Sequence, residues 1–165
     1  MSHRQHRSDA PKAVSCAVVT ISDTRTEETD ESGKMLKDIL LKGGHSIVAY
    51  SVVPDDIEAI RGAVESLLSS GADVIFTNGG TGISRRDVTP EAVSPLIDKK
   101  LPGFGEIFRH LSFREVGAAA ALSRAFAGVS RGKLVVCLPG SKNAVRLGAE
   151  LLVSELGHFV WEVRK

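Results

Sequence analysis

Between residues 79 and 89 the chain carries three glycines (Gly79, Gly80, Gly82), three hydroxyls (Thr81, Ser84, Thr89), two arginines (Arg85, Arg86) and one carboxylate, Asp87. Glycine takes positive φ at little cost and lets backbone N–H groups approach a ligand with no Cβ in the way, so successive glycines in a loop suit an anion cradle. The hydroxyls add donors and the arginines add charge. Asp87, in a loop that otherwise attracts anions, suggests a cation beside a phosphate. The spacing matches neither the GxxxxGK[ST] phosphate loop nor the GxGxxG dinucleotide fingerprint, so some other nucleotide or phosphate chemistry is implied. A plain strand-to-helix corner also uses glycine, but it does not call for the arginines, hydroxyls and aspartate.

Three further stretches carry chemistry. Ser22 and Asp23 follow the first apolar run, where open α/β sheets place their ligands, although the same pair also suits a turn cap. Pro54 precedes Asp55 and Asp56, of which one is expected to cap the next helix, leaving the second with a weaker structural reason. Pro139, Gly140, Ser141 and Lys142 open a late helix. Ser141 is an N-cap type, and the free first-turn N–H groups together with Lys142 suit an anion, or else make an ordinary cap with a solvated lysine.

Elements must position these stretches. Residues 13–21 form a near-continuous β-branched run, as in a strand buried on both faces of a parallel sheet. Residues 45–53 and 73–77 read as further strands, and 32–42 and 57–68 as helices. Met35, Leu36, Ile39 and Leu40 recur at helical spacing, as do Ile57, Ile60, Val64, Leu67 and Leu68. Gly43 and Gly44 end the first helix. Three strand–helix units in succession predict an α/β fold: a three-layer sandwich, its sheet mostly parallel and covered by helices on both faces. Arg131 and Gly132 suggest a hairpin between 123–129 and 133–138, adding one antiparallel strand.

Residues 89–97 start a helix after the glycine loop. Residues 101–106 break the chain and 107–122 supply helical pieces, read together as an insertion beside the sheet; Glu106 is a first-turn or a site carboxylate. Residues 141–156 read as one helix and 158–163 as an edge strand. Residues 1–11 are polar with no periodic apolar face and read as a disordered arm, leaving 12–165 as a single domain.

Lys and Arg (21) nearly balance Asp and Glu (20), a net charge of +1. That gives no general drive toward nucleic acid or an anionic membrane, so an anionic ligand must be captured locally. No apolar run approaches the ~20 residues that cross a bilayer and no apolar signal core opens the chain, so a soluble, cytoplasmic protein is expected. Cys16 and Cys137 each lie within an apolar run, which suits reduced, buried thiols better than a disulfide.

The stretch GGTGISRRDVTPEA resembles the signature of the molybdopterin-binding proteins, which include molybdenum cofactor biosynthesis protein B, the molybdopterin adenylyltransferases and domains of gephyrin and the molybdopterin molybdotransferases. Thr20-Ile21-Ser22-Asp23, Val53-Pro54-Asp55-Asp56 and the run from Leu138 through Lys142 to Val145 agree with it, so the resemblance covers nearly the whole chain from about Lys12. It implies the molybdopterin-binding fold, binding of molybdopterin, and adenylylation of that pterin with ATP and Mg²⁺ to give adenylyl-molybdopterin and pyrophosphate. It also implies a homotrimer or a dimer of trimers, and exchange with other proteins of the cofactor pathway. By position, Asp55 and Asp87 match the catalytic carboxylates that hold Mg²⁺ and align phosphates. Gly79, Gly80, Thr81 and Gly82, with Thr89, match the pterin- and phosphate-holding loop; Ser22, Asp23, Ser123, Gly140, Ser141 and Lys142 fall at its rim. Some relatives bind the pterin or assemble without clear transferase activity, so a non-catalytic carrier or scaffold stands beside the enzyme. A generic nucleotide-binding domain is a third reading. A carrier needs neither Asp55 nor Asp87, and a generic nucleotide domain does not need the whole glycine loop.

Overall fold

The β-branched runs fold as a central sheet because their side chains alternate between two apolar layers. In the computed structural model, which describes residues 10–165, Cys16 and Val18 of β1 (Ser15–Ile21) face one layer while Ala17, Val19 and Ile21 face the other. Strands β2 (Ser46–Val53), β3 (Val74–Asn78), β4 (Lys99–Lys100), β5 (Phe126–Ser130) and β6 (Lys133–Leu138) complete a six-stranded sheet in the order β2-β1-β3-β6-β5-β4. The pairs β1–β2, β1–β3 and β3–β6 are parallel, whereas β5 runs antiparallel to β6 and to β4. The α/β architecture and its one reversed strand are therefore as the sequence predicts. The two-residue β4 was not expected, being too short to leave a periodic signal.

Among the described residues four helices cover one face: α1 (Glu31–Lys42), α4 (Pro102–Val116), α5 (Lys142–Leu152) and α6 (Leu156–Arg164). Two cover the other: α2 (Ile57–Leu68) and the short α3 (Thr89–Val93). Leu36 and Leu40 of α1 and Ile60 and Val64 of α2 are fully buried. Each such side chain contributes on the order of 1.5–3 kcal/mol by burial.

Three expectations are corrected. Residues 101–122 are not an insertion beside the sheet. Pro102 occupies the first turn of α4, and Phe104 and Phe108 enter the main core. The apparent breaker Gly105 permits close approach: a Cβ there would lie 3.0 Å from the Ala125 carbonyl oxygen. Residues 158–163 are helix, not edge strand, because Leu156 and Val160 are buried four residues apart. A turn at residues 153–155 separates α5 from α6, where one helix was expected. The arm reading of residues 1–9 lies outside the described residues. No helix of the described residues is long and apolar enough to cross a membrane.

Strand order reverses between β1 and β3: the chain leaves β1 toward β2 on one side, and after β3 it builds the sheet on the other. Such a switch point opens a crevice at the carboxyl ends of the two strands, and the loops after β1 and β3 lie there.

Candidate functional site

The glycine loop follows β3 without a break. Asn78, its last strand residue, is fully buried and donates through Nδ2 to Thr20 Oγ1 on β1 at 3.2 Å. Gly79 (φ +117°) and Gly80 (φ +68°) then take conformations that L side chains rarely adopt. Space forbids side chains there as well. A Cβ on Gly79 would lie 2.2 Å from the Ile21 carbonyl oxygen, and one on Gly80 would lie 2.4 Å from Thr89 Oγ1 and 3.2 Å from Asp55 Oδ1.

What the loop carbonyls do decides what its N–H groups can do. Gly79 O accepts from Thr89 Oγ1 (2.8 Å) and Gly80 O from Thr89 N (3.0 Å). Thr81 O accepts from Arg124 N (2.8 Å) and Gly82 O from Arg124 Nε (2.8 Å). Four successive carbonyls are thus bound by two residues. In a trans peptide the C=O and the following N–H point in opposite directions, so the N–H groups of Gly80, Thr81, Gly82 and Ile83 face away from Thr89 and Arg124. Among the described residues none of these four N–H groups has an acceptor. The buried Thr81 Oγ1 and Asn78 Oδ1 likewise lack a partner. A row of free donors between two ordered elements can receive an anion, as successive backbone N–H groups do in a nest.

The carboxylates differ in their surroundings. Asp56, not Asp55, caps α2, accepting from Ala59 N at 2.9 Å. Asp55 is thereby released from capping. Its backbone N–H donates to Asp23 Oδ1 at 3.0 Å, and its carboxyl is held above the ordinary aspartate range, first by burial and then by the charge of Asp23. Asp23 is itself held below that range, chiefly by Arg86, whose Nε and Nη2 reach Asp23 Oδ2 at 2.8 and 2.6 Å. Arg86 thus joins the glycine loop to the loop after β1. The carboxylate of Asp87 turns back onto its own loop, where Oδ2 accepts from Ser84 N at 2.9 Å. Among the described residues no three His, Cys, Asp or Glu side chains are grouped to hold a metal ion.

The loop before α5 meets the glycine loop directly: Gly79 N donates to Leu138 O at 2.9 Å, and a Cβ on Gly140 would lie 3.2 Å from Gly79 Cα. Gly140 O is fixed by Arg25 Nη1 (3.1 Å) and Ser32 Oγ (2.8 Å). Ser141 caps α5 by accepting from Ala144 N at 3.3 Å, and Lys142 pairs with Glu31 at 2.7 Å. Ser22 Oγ accepts from the backbone of Thr24 and Arg25 at 3.2 and 3.1 Å, a local turn. Ser123 Oγ accepts from Ala125 N at 3.3 Å, and Ser123 and Ser141 line one cavity of about 160 Å³ between α4 and α5.

So the fold brings Asp23, Asp55, Gly79, Gly80 and Thr89 together, with Gly140 alongside, and sets Ser123, Ser141 and Lys142 at one flank. Arg124 was not a sequence candidate, because nothing at residue 124 signals partners more than 30 positions away. Asp30 was also missed. It is fully buried, caps α1 through Gly33 N at 2.9 Å and receives the Tyr50 hydroxyl at 2.5 Å. Burial and that bond push the Tyr50 hydroxyl pKa up.

Comparison with known proteins matches residues 17–158 to the family model described as "Probable molybdopterin binding domain". The chain is 50% identical to molybdenum cofactor biosynthesis protein B of Bacillus cereus, over 100% of this chain and 99% of that protein. It is 43% identical to molybdopterin adenylyltransferase of Pyrococcus furiosus, over the full length of both. A crystal structure of the tungsten cofactor synthesizing protein MoaB from Pyrococcus furiosus superposes with a TM-score of 0.86 at 44% identity, covering 94% of this chain and 100% of that one.

Proposed function

The chain belongs to the family of probable molybdopterin-binding domains, and from that premise we propose that it adenylylates molybdopterin in molybdenum cofactor biosynthesis. The observation that carries this reading is the row of four free N–H groups on the glycine loop, opposite four bound carbonyls and beside Asp55. A relative named molybdopterin adenylyltransferase, 43% identical over the whole chain, supports the same reaction.

In that reaction the terminal phosphate of molybdopterin attacks the α-phosphate of ATP. A P–O bond forms there as the bond to the β-phosphate breaks, and pyrophosphate leaves. The chain's task is to hold two polyanions together and offset their charge, which is positioning and electrostatic stabilisation rather than covalent catalysis. The N–H groups of Gly80, Thr81, Gly82 and Ile83 receive phosphate oxygens. Thr89 and Arg124 keep the opposing carbonyls turned away.

The donor set fits Mg²⁺, an oxygen-seeking ion that keeps several waters and is satisfied by one or two protein carboxylates together with substrate phosphates. Asp55, free of capping duty and held against the charge of Asp23, would hold it with Asp87, and the bound ion would neutralise charge developing on the phosphates. Self-association as a trimer or a dimer of trimers belongs to the same proposal. It is supported by exposed Ile107, Phe113, Val116 and Leu122 on α4 and the turn after it. Sedimentation showing only a 17.6 kDa monomer at micromolar concentration would overturn that part.

The test is pyrophosphate release from Mg-ATP on addition of molybdopterin. Release that depends on the pterin is expected. Pterin binding with no release at any ATP concentration would leave a non-catalytic carrier as the function instead.

A further inference from the structure

We infer that Arg124 is the positioning residue of the anion-binding loop, acting through backbone carbonyls without touching the ligand, with Glu91 holding its guanidinium in place. The inference rests on the phosphate-binding reading of that loop. Arg124 lies two residues before β5 and reaches across to the loop with nearly its full complement of donors. Its backbone N takes Thr81 O and its Nε takes Gly82 O, each at 2.8 Å, and its Nη2 takes Asp87 O at 2.8 Å. Its Nη1 meets the Glu91 carboxylate, whose pKa that guanidinium draws below the ordinary range.

Gly82 and Asp87 mark the two ends of the segment 83–86. That segment has little else to close it. Ile83 is 67% exposed, so no apolar anchor holds the tip. The internal bonds are Ser84 N to Asp87 Oδ2 and Asp87 N to Ser84 O, at 2.9 and 3.1 Å. One planar guanidinium therefore joins both ends of the segment that carries Arg86, and Arg86 in turn reaches Asp23 beside Asp55.

The same contacts set the polarity of the site. A carbonyl aimed at a phosphate repels it, and an N–H attracts it. By holding the oxygens of Thr81 and Gly82, Arg124 fixes which way those peptides face and so presents the Gly82 and Ile83 N–H groups. Lysine cannot replace it, because a single ammonium lacks the rigid fork that spans two carbonyls and a carboxylate. Glu91 offsets the charge, so Arg124 serves as a strut rather than as a phosphate ligand.

The test compares wild type with Arg124→Gln, Arg124→Lys and Glu91→Gln. Hydrogen exchange is followed at the Ser84, Asp87 and Thr89 amides, all bonded within the loop, with β3 amides as the internal reference. Affinity for inorganic pyrophosphate is measured with Mg²⁺ present, alongside thermal unfolding. In both Arg124 variants the loop amides are expected to exchange about tenfold faster or more, with β3 amides unchanged, and pyrophosphate affinity to fall by about tenfold or more. Glu91→Gln should lie between them and wild type. In turnover, KM for ATP rises more than kcat falls. Wild-type affinity in Arg124→Lys would show that charge rather than the fork matters, and would overturn the inference. So would unchanged loop exchange in Arg124→Gln, or a lower Tm with the affinity of the folded protein intact. Should wild type itself fail to bind pyrophosphate, the phosphate reading falls, while loop exchange still decides whether Arg124 closes the segment.

Discussion

Asp55 and Asp56 are chain neighbours with opposite duties, and exchanging each for asparagine separates them. Asp56 caps α2 by accepting from Ala59 N at 2.9 Å, a bond that asparagine also makes. Asp56→Asn should therefore change stability by no more than a few tenths of a kcal/mol, because both residues are good N-caps. Removing the cap altogether in Asp56→Ala should cost about 1 kcal/mol, roughly 2–4 °C in Tm for a domain of this size. Asp55 caps nothing, and its carboxylate is disfavoured by burial and by Asp23. Its folded-state pKa lies above the unfolded value, so wild-type stability falls as pH rises from the ordinary aspartate range through the raised value. Asp55→Asn lacks that ionisation and should be at least as stable as wild type at neutral pH. Its turnover should nevertheless fall on the order of 10²–10³, the usual cost of losing one preorganised electrostatic contact to a transition state. The assay is molybdopterin-dependent pyrophosphate release beside thermal unfolding at pH 4 and pH 7. Near-normal turnover in Asp55→Asn, or a Tm loss as large as that of Asp56→Ala, would refute the division of labour.

Gly80→Ala should lose about 1–2 kcal/mol from the left-handed conformation alone, and more from displacing Thr89, whose Oγ1 would sit 2.4 Å from the new Cβ. Unchanged unfolding and unchanged pyrophosphate binding would count against the loop geometry. Cys16 and Cys137 are fully buried and their thiols are pushed up to about 12, so both should titrate with a thiol reagent only after unfolding. Rapid native reaction of either would contradict that. Chelation followed by repurification should abolish turnover until Mg²⁺ is restored, and full activity without a divalent ion would exclude the metal.

The parts of the fold that the sequence predicts are those with local causes. Cys16 through Ile21 alternate between two cores, and a β-branched run of that length has few other uses. The glycine loop was legible because several residue types needed for one chemistry fall within one short stretch. Arg124 was not legible: it lies in a run read as strand, and its worth comes from Gly82, Asp87 and Glu91, which the fold delivers from far along the chain. Asp30 fell in an acidic, hydroxylic stretch read as loop, where nothing marks it as the one carboxylate among the described residues that becomes fully buried. The helix α6 was misread because Phe159 to Val163 suits a strand by composition, and only Leu156 and Val160, packed against the core, disclose the longer period.

A net charge of +1 raises the question of how such a chain captures polyanions at all. The formal cations nearest the site are largely engaged: Arg86 with Asp23, Arg124 with Glu91, and Lys142 with Glu31. Their charges are offset, so they act chiefly by placing backbone. Besides the exposed Arg85 of the glycine loop, what remains uncompensated is peptide polarity, the N–H groups whose own carbonyls are bound elsewhere. Fixed dipoles of this kind act without reorganising when charge moves, which is what phosphoryl chemistry demands of a site that does no covalent work. It also accounts for the close packing of Gly79 on Ile21 and of Gly140 on Gly79 at the switch point, since dipoles attract an anion only if the backbone carrying them is held still and no Cβ stands between.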